Sequence, residues 1–478
     1  MTAGVLSPAR CLAAALCILC LAGCVGEGNI RADIIRHRTS RYERWLSERR
    51  GESKNRELLS GDLSLEKSIL IGLANSRQIQ MVLLEREKAD ARILEAYSEA
   101  LPQVDVSADY TRLDRVPAGL GRRDNYGLTA TIRQPLYKGG LIGAGIRAAR
   151  VFSLLVEEQQ RGVYQDVIFA IRKAYYDALL ATELERSSAD ALSVAKRRLE
   201  DVEKDRAVGR ASDFDVLRAQ VEVKNLIAEN VRDQNRRRLA MTTLLNQMGI
   251  SQESRVTLTY DMTYRPFTPD IEQAVYTAFQ EHPGILEREL ALRIQKEAVA
   301  AARARYFPEV SLIFTDGLFR PDPHDLTRDR WNDQWSLGVG ATLNLFEGFR
   351  TAANVRKAKA ALKQEKVALR DAEEAALLAI RQAILSLADA ARLVESQEAN
   401  VEQAREALRL AELGFNEGAL KEIDFLDARR SLSRARANYA EAVYGHEVAR
   451  LFYERATGTL APPAEPPVRE LDGNNRSP

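Results

Sequence analysis

The chain has 478 residues, a net charge of +1 and only 6% aromatic residues, a length at which two or more structural units are expected. The balanced charge excludes a general attraction to nucleic acid, and four scattered His and five Met offer no metal pathway. All four Cys (Cys11, Cys17, Cys20 and Cys24) lie in the first 24 residues, so the remainder has no thiol pair for a disulfide or zinc.

Residues 1–23 read as an export signal. Arg10 precedes an apolar run from Cys11 to Cys20 that is too short to span a bilayer. Leu21-Ala22-Gly23-Cys24 follows and resembles the bacterial lipoprotein cleavage box, which implies acylation of Cys24. Val25 rather than Asp follows the Cys, and by lipoprotein sorting rules this implies delivery to the outer membrane. An acyl anchor supplements other membrane attachment. Residues 24–60 are charged and irregular, and read as an extended N-terminal strap.

The rest of the chain is one unit written twice. Leu101-Pro102-Gln103-Val104 returns as Phe307-Pro308-Glu309-Val310, an offset of 206 (307 − 101). Tyr126, Leu128, Leu136, Tyr137 and Gly139 return as Trp335, Leu337, Leu345, Phe346 and Gly348, an offset of 209 (335 − 126). The offset changes once, between residues 113 and 125, which marks a surface loop there. The first repeat covers 61–250, the linker 251–269 and the second repeat 270–458. A Pro-rich tail fills 459–478. Each copy begins with a helix, predicted from Leu65 to about Ala100 and from Ile271 to Tyr306.

Two strands follow in each copy, at about 103–113 and 124–136, then about 309–319 and 334–345. Val104, Val106, Ala108 and Tyr110 alternate with Asp105, Ser107 and Asp109, the period-two pattern of a strand with unlike faces. Ten residues suffice for a tilted membrane strand. Four strands cannot close a barrel, and lipid does not tolerate an open sheet edge. Three copies supply twelve strands, so the pattern predicts a homotrimer with Asp105, Asp109, Thr129 and Ser336 on a wet lumen. Tyr110, Tyr126, Phe319, Trp331 and Trp335 lie near strand ends, where interfacial anchors belong.

Long helical patterns then run to about Ala207 and Phe415, roughly 100 Å each at ~1.5 Å per residue. Each turns at a Gly-containing tip, 208–213 and 415–422, and a shorter helix returns. Gly209, Asp215 and Leu217 return as Gly418, Asp424 and Leu426 (418 − 209 = 209). Asp424 and Asp427 share a helix face. In a threefold assembly they converge into a ring of six carboxylates that attracts cations; as acids near a helix N-terminus they also suit the helix dipole. Gly139-Gly140-Leu-Ile-Gly143-Ala-Gly145 hints at a phosphate cradle but lacks the G-x-G-x-x-G spacing. With no Ser/His/Asp, Cys/His or metal-ligand cluster, the sequence predicts neither enzyme chemistry nor a cofactor.

Ala100-Leu-Pro, Arg133-Gln-Pro-Leu-Tyr-Lys-Gly-Gly140, Val208 to Gln220, Leu345-Phe-Glu-Gly348 and Gly418 to Ala428 together resemble the TolC-like outer-membrane efflux family over residues 62–458. That resemblance implies a mainly helical chain whose trimer forms a twelve-stranded β-barrel continuing into a twelve-helix periplasmic tunnel. It implies an exit duct for small molecules, working with a periplasmic adaptor and a proton-driven or ATP-driven inner-membrane pump. An outer-membrane component of protein secretion is the alternative, and a non-conducting periplasmic coiled-coil scaffold a further one. By resemblance, Asp424 and Asp427 match the periplasmic gate ring, and Val208, Gly209, Arg210, Gly418 and Ala419 match the adaptor-docking tips. The family's closed state links the aspartate matching Asp215 to a tyrosine and an arginine, but here those positions are Phe415 and Leu420.

Overall fold

A computed structural model describes residues 41–42, 44, 59–115, 122–259, 263–417 and 419–461. The leader, Cys24, nearly all of the strap, Gly418 and residues 462–478 lie outside them. The chain divides into a small unit, residues 1–61 with 250–256, and a large one, residues 62–249 with 257–478. In the small unit the Arg255 N–H donates to the Leu59 carbonyl at 3.1 Å. Two short strands, β1 (Ser60–Leu63) and β4 (Arg255–Leu258), straddle the division; the elements from Leu65 to Gln247 and from Ile271 to Ala456 belong to the large unit.

The first repeat contains α1 (Leu65–Asn75), α2 (Arg77–Ser98), β2 (Gln103–Arg112), β3 (Asp124–Lys138), α3 (Leu141–Ala207) and α4 (Asp213–Gln247). The second contains α5 (Ile271–Glu281), α6 (Pro283–Ala304), β5 (Glu309–Arg320), β6 (Asn332–Thr342), α7 (Arg350–Asn416) and α8 (Glu422–Ala456). Both long helices have 67 residues and both returning helices 35. Their starts keep the 209-residue offset (350 − 141 and 422 − 213).

The single helices expected over 65–100 and 271–306 are each broken in two. Ser76 leaves the helical region and its hydroxyl accepts from the Ile79 N–H at 3.4 Å, starting a new helix. At the equivalent place (282 − 76 = 206), Pro283 opens α6 and His282 is extended, as a residue before proline prefers. Two short helices can each turn an apolar side inward where one straight helix cannot.

The four strands form one antiparallel sheet in the order β2-β3-β5-β6. Tyr110 pairs with Tyr126, and Tyr126 with Arg320. β2 and β6 are the sheet's edges, and every residue of β2 is exposed. The long helices pack in antiparallel hairpins, α3 with α4 and α7 with α8, and α8 also lies along α3. The core lies partway along these helices, where Ile168, Ile171, Tyr175, Leu244, Met248, Ile380 and Leu451 are fully buried. Ala274 and Ala278 of α5 pack there against Ile380, Ala383 and Ala456. Among the described residues no helix is long and apolar enough to cross a membrane.

Candidate functional site: helical tips and strand ends

Both long helices end by the same device. Gly209 takes φ +76°, and the Arg210 N–H donates to the Asp205 carbonyl at 2.7 Å. At the second tip the Ala419 N–H donates to the Gly414 carbonyl at 2.7 Å, and the Leu420 N–H to the same carbonyl at 3.0 Å. These are bonds that satisfy the last carbonyls of a helix, and at the first tip the left-handed Gly209 allows them.

The returning helices start differently. Ser212 and Asp215 form a reciprocal capping box: the Asp215 N–H donates to the Ser212 hydroxyl at 3.3 Å, and the Asp215 carboxylate accepts from the Ser212 N–H at 3.0 Å. The Ser212 hydroxyl also donates to that carboxylate at 2.6 Å. These bonds, with Arg218 and Arg198 nearby, hold the Asp215 carboxyl below the usual carboxylate range. Lys421 stands where Ser212 did (421 − 212 = 209), and an ammonium can only donate. Only half the box survives, the Lys421 N–H donating to Asp424 at 3.2 Å.

Asp424 is therefore a capping group within the chain. Among the described residues Asp427, 61% exposed, has its polar contact with Arg430 of its own helix, at 3.5 Å. Asp215 is bonded to Ser212 and has no polar link to Phe415 or Leu420. Phe415 instead stacks on Phe425, with centroids 5.8 Å apart and planes 17° apart. Leu420 lies against Gly414, where an added Cβ would meet its Cδ1 at 2.8 Å. The contacts of Phe415 and Leu420 are therefore apolar. Val208, Phe214 and Leu217 are exposed at the first tip.

The two ends of the sheet carry apolar rings. At the loop end Tyr110 and Tyr126 lie 5.0 Å apart, and Trp331 lies 6.1 Å from Tyr126. At the helix end Leu136, Tyr137, Leu345, Phe346 and Phe349 are exposed, and Phe346 meets Phe349 edge-on at 5.6 Å. Phe349 adopts φ +64° where the first repeat has Gly140 at φ +88° (349 − 140 = 209). A bulky residue held there is strained, so an exposed ring occupies a position that backbone preference gives to glycine. Tyr126 and Tyr137 are eleven residues apart on β3 (137 − 126), roughly 36 Å of strand. At a tilt of ~40° that is roughly 28 Å, close to the ~25 Å apolar band of membrane barrels.

The 321–331 loop is held by charge. Asp322, 1% exposed, accepts from the His324 N–H at 3.0 Å, Arg330 Nε at 2.9 Å and Asn332 Nδ2 at 2.9 Å. The Asn332 amide, the His324 N–H and the Arg330 guanidinium hold its carboxyl well below the usual range. Asp329 joins Arg320 at 2.9 Å and Arg122 of the other loop at 3.4 Å.

Sequence reasoning missed this loop network and the Glu222–Arg430 contact at 2.9 Å between α4 and α8. The density of Asp and Arg over 320–330 signalled the first. No sequence pattern signalled the second.

The family described as outer membrane efflux protein matches residues 71–249 and 274–458. Outer membrane protein TolC of Vibrio cholerae is 24% identical over 399 residues, covering 81% of this chain and 89% of that protein. Outer membrane protein OprJ of Pseudomonas aeruginosa is 26% identical over 382 residues, covering 77% and 78%. The Campylobacter jejuni CmeC outer membrane channel superposes with a TM-score of 0.72 at 17% identity, covering 83% of this chain and 85% of that one.

Proposed function

The chain belongs to the outer membrane efflux protein family, and from that premise we propose that it is the outer-membrane exit duct of a tripartite efflux system. It sits in the outer membrane with a periplasmic extension. Three copies supply twelve strands for a closed barrel and twelve long helices for a tunnel. Small molecules pass outward from an inner-membrane pump, and a periplasmic adaptor docks at the tips formed by Val208, Gly209 and Arg210 and by Gly418 and Ala419. Asp424 and Asp427 converge near the threefold axis as a cation-attracting gate ring, while the Phe415–Phe425 stack and Leu420 close the tips by packing. Acylated Cys24 adds a lipid anchor.

The observation that carries this reading is the sheet. Its two edges are open and its two apolar rings are separated by roughly a hydrocarbon thickness. Exposed edges are excluded from lipid, so such a sheet has to close with other copies. The test is conductance of purified protein in a planar bilayer, together with its mass in detergent. A conducting trimer is expected; a non-conducting, single-copy protein overturns the reading.

A further inference from the structure

Beside the tips, α3, α4, α7 and α8 together surround a hollow of about 650 Å³. That volume lies within the roughly 300–1,000 Å³ of small-molecule sites. Buried Ala195 of α3, Ala219 of α4 and Leu432 of α8 supply part of an apolar lining. The rest is charged. Six guanidinium side chains line the hollow: Arg197 and Arg198 of α3, Arg218 of α4, and Arg429, Arg430 and Arg436 of α8.

The carboxylates on the same walls do not balance these cations. Asp190, Asp215, Glu222, Glu412 and Asp427 line the hollow, but three of them are already engaged. Arg430 takes Glu222 at 2.9 Å and Asp427 at 3.5 Å. Asp215 accepts from the Ser212 N–H and hydroxyl, and Arg198 and Arg218 act on its charge without closing an ion pair. Among the described residues Arg197, Arg198, Arg218, Arg429 and Arg436 have no ion-pair partner. Asp190 and Glu412 alone remain against those five. A guanidinium cannot lose its charge by deprotonation, so the positive excess persists at every physiological pH. Nor does the duplication explain it. The positions 209 residues away hold Glu406, Ala407, Asp427, Gln220, Val221 and Ile227, so no guanidinium of the hollow is a copy of one in the other repeat.

We propose that this hollow binds a small solute carrying two or more negative charges as carboxylate or phosphate groups. The planar fork of a guanidinium matches two oxygens of either group. The first hairpin supplies three such forks and the second hairpin three more. A solute with two anionic groups can therefore be held by both hairpins at once, whereas a monoanion reaches only one. Arg430 is shared between the hollow and the neighbouring hairpin, so a bound anion competes with Glu222 for the contact that joins the two. All of these residues belong to one chain, and the site exists whether or not several copies assemble.

The test is titration calorimetry of the full-length protein in detergent at fixed ionic strength, with citrate, pyrophosphate and acetate as probes. Citrate or pyrophosphate should bind at one site per chain, and acetate should not; the tighter of the first two identifies the group recognised. Arg197→Gln combined with Arg436→Gln should weaken that binding roughly tenfold or more, with unchanged helix content by circular dichroism. Arg86→Gln on α2, outside the hollow, should bind as wild type does. Glu222→Gln, which releases Arg430, should bind more tightly. Absence of saturable binding at millimolar citrate and pyrophosphate, or equal binding in wild type and the double variant, overturns the site and leaves the duct reading untouched. A single-copy, non-conducting protein that still binds citrate through Arg197 and Arg436 overturns the duct and keeps the site.

Discussion

Arg430 of the second hairpin donates from Nη2 to Oε1 of Glu222 in the first, at 2.9 Å, while its Nη1 lies 3.5 Å from Asp427. One guanidinium thus connects Asp427 of its own helix to the neighbouring hairpin. The pair is substantially solvent-exposed, so its own strength is about 0.2–1 kcal/mol. Its importance is positional, because it joins the two hairpins near the tips, where Phe415 and Leu420 offer Asp215 no polar side chain. Arg430→Ala should increase the open probability of channels in a planar bilayer, and Glu222→Gln should do so to a lesser degree. Equal currents in wild type and Arg430→Ala would remove this tie from the gate.

The two carboxylates of the proposed ring separate by role. Asp427→Ala should raise single-channel conductance and weaken block by divalent cations, with no change in helix content. Asp424→Ala should have the same electrical effect and also loosen the start of α8, because the Lys421 N–H loses its acceptor, at a cost of about 0.3–1 kcal/mol. Bilayer recordings with and without millimolar divalent cation decide this, and unchanged block in the double variant argues against a ring.

At the first tip the Ser212–Asp215 box gives a pH dependence with a defined sign. The folded carboxyl lies below its usual value, so its stabilising effect is complete above the unfolded pKa of ~3.9 and is lost as pH falls through the lower folded value. Amide exchange at residues 213–216 should therefore keep its protection from neutral pH to about 4 and lose it below. Ser212→Ala should cost about 1 kcal/mol and flatten that pH dependence. The second tip has Lys421 in place of Ser212, so Lys421→Ser should strengthen it.

The strand-to-helix junctions offer a paired test. Gly139 and Gly348 have nearly equal φ values of +61° and +59°, so alanine is strained at either by about 1–2 kcal/mol. A Cβ at Gly139 would also meet the Ala304 carbonyl oxygen at 2.2 Å, whereas at Gly348 nothing lies within 4 Å. Gly139→Ala should lower the thermal midpoint clearly more than Gly348→Ala. Phe349→Gly should relieve strain and raise it. If the Phe349 ring anchors the membrane boundary, that variant should also be extracted from membranes more readily.

The anchor is tested by mass. Intact wild-type protein should carry the acyl groups on Cys24, and Cys24→Ser should lack them while its chains still assemble through the sheet. An unmodified wild-type Cys24 would remove the lipid from the account.

Much of the architecture was legible in the residues. Period-two alternation from Val104 to Tyr110 fixes a strand with unlike faces, and the 209-residue offset fixes two equal helical hairpins. Both signals are local, or a comparison of the chain with itself. The breaks at Ser76 and His282 were there to be read, since Pro283 follows His282, but strong apolar periodicity on both sides hid them. The proposed gate residues were legible only in part. Asp424 and Asp427 stand out as acids on one face, yet nothing in the pattern reveals that Asp424 caps its own helix through the Lys421 N–H.

The sequence by itself determined the repeated order of elements, their lengths and their turns, because those follow from backbone preferences within a few residues. The tertiary structure alone decided which of two equivalent positions is covered, Ile168 buried and Leu377 on an open hollow, and which distant charges meet, Glu222 with Arg430. Duplicated segments carry the same local information, but burial depends on which neighbours the folded chain can bring within reach. One polypeptide can cover only one of its two copies.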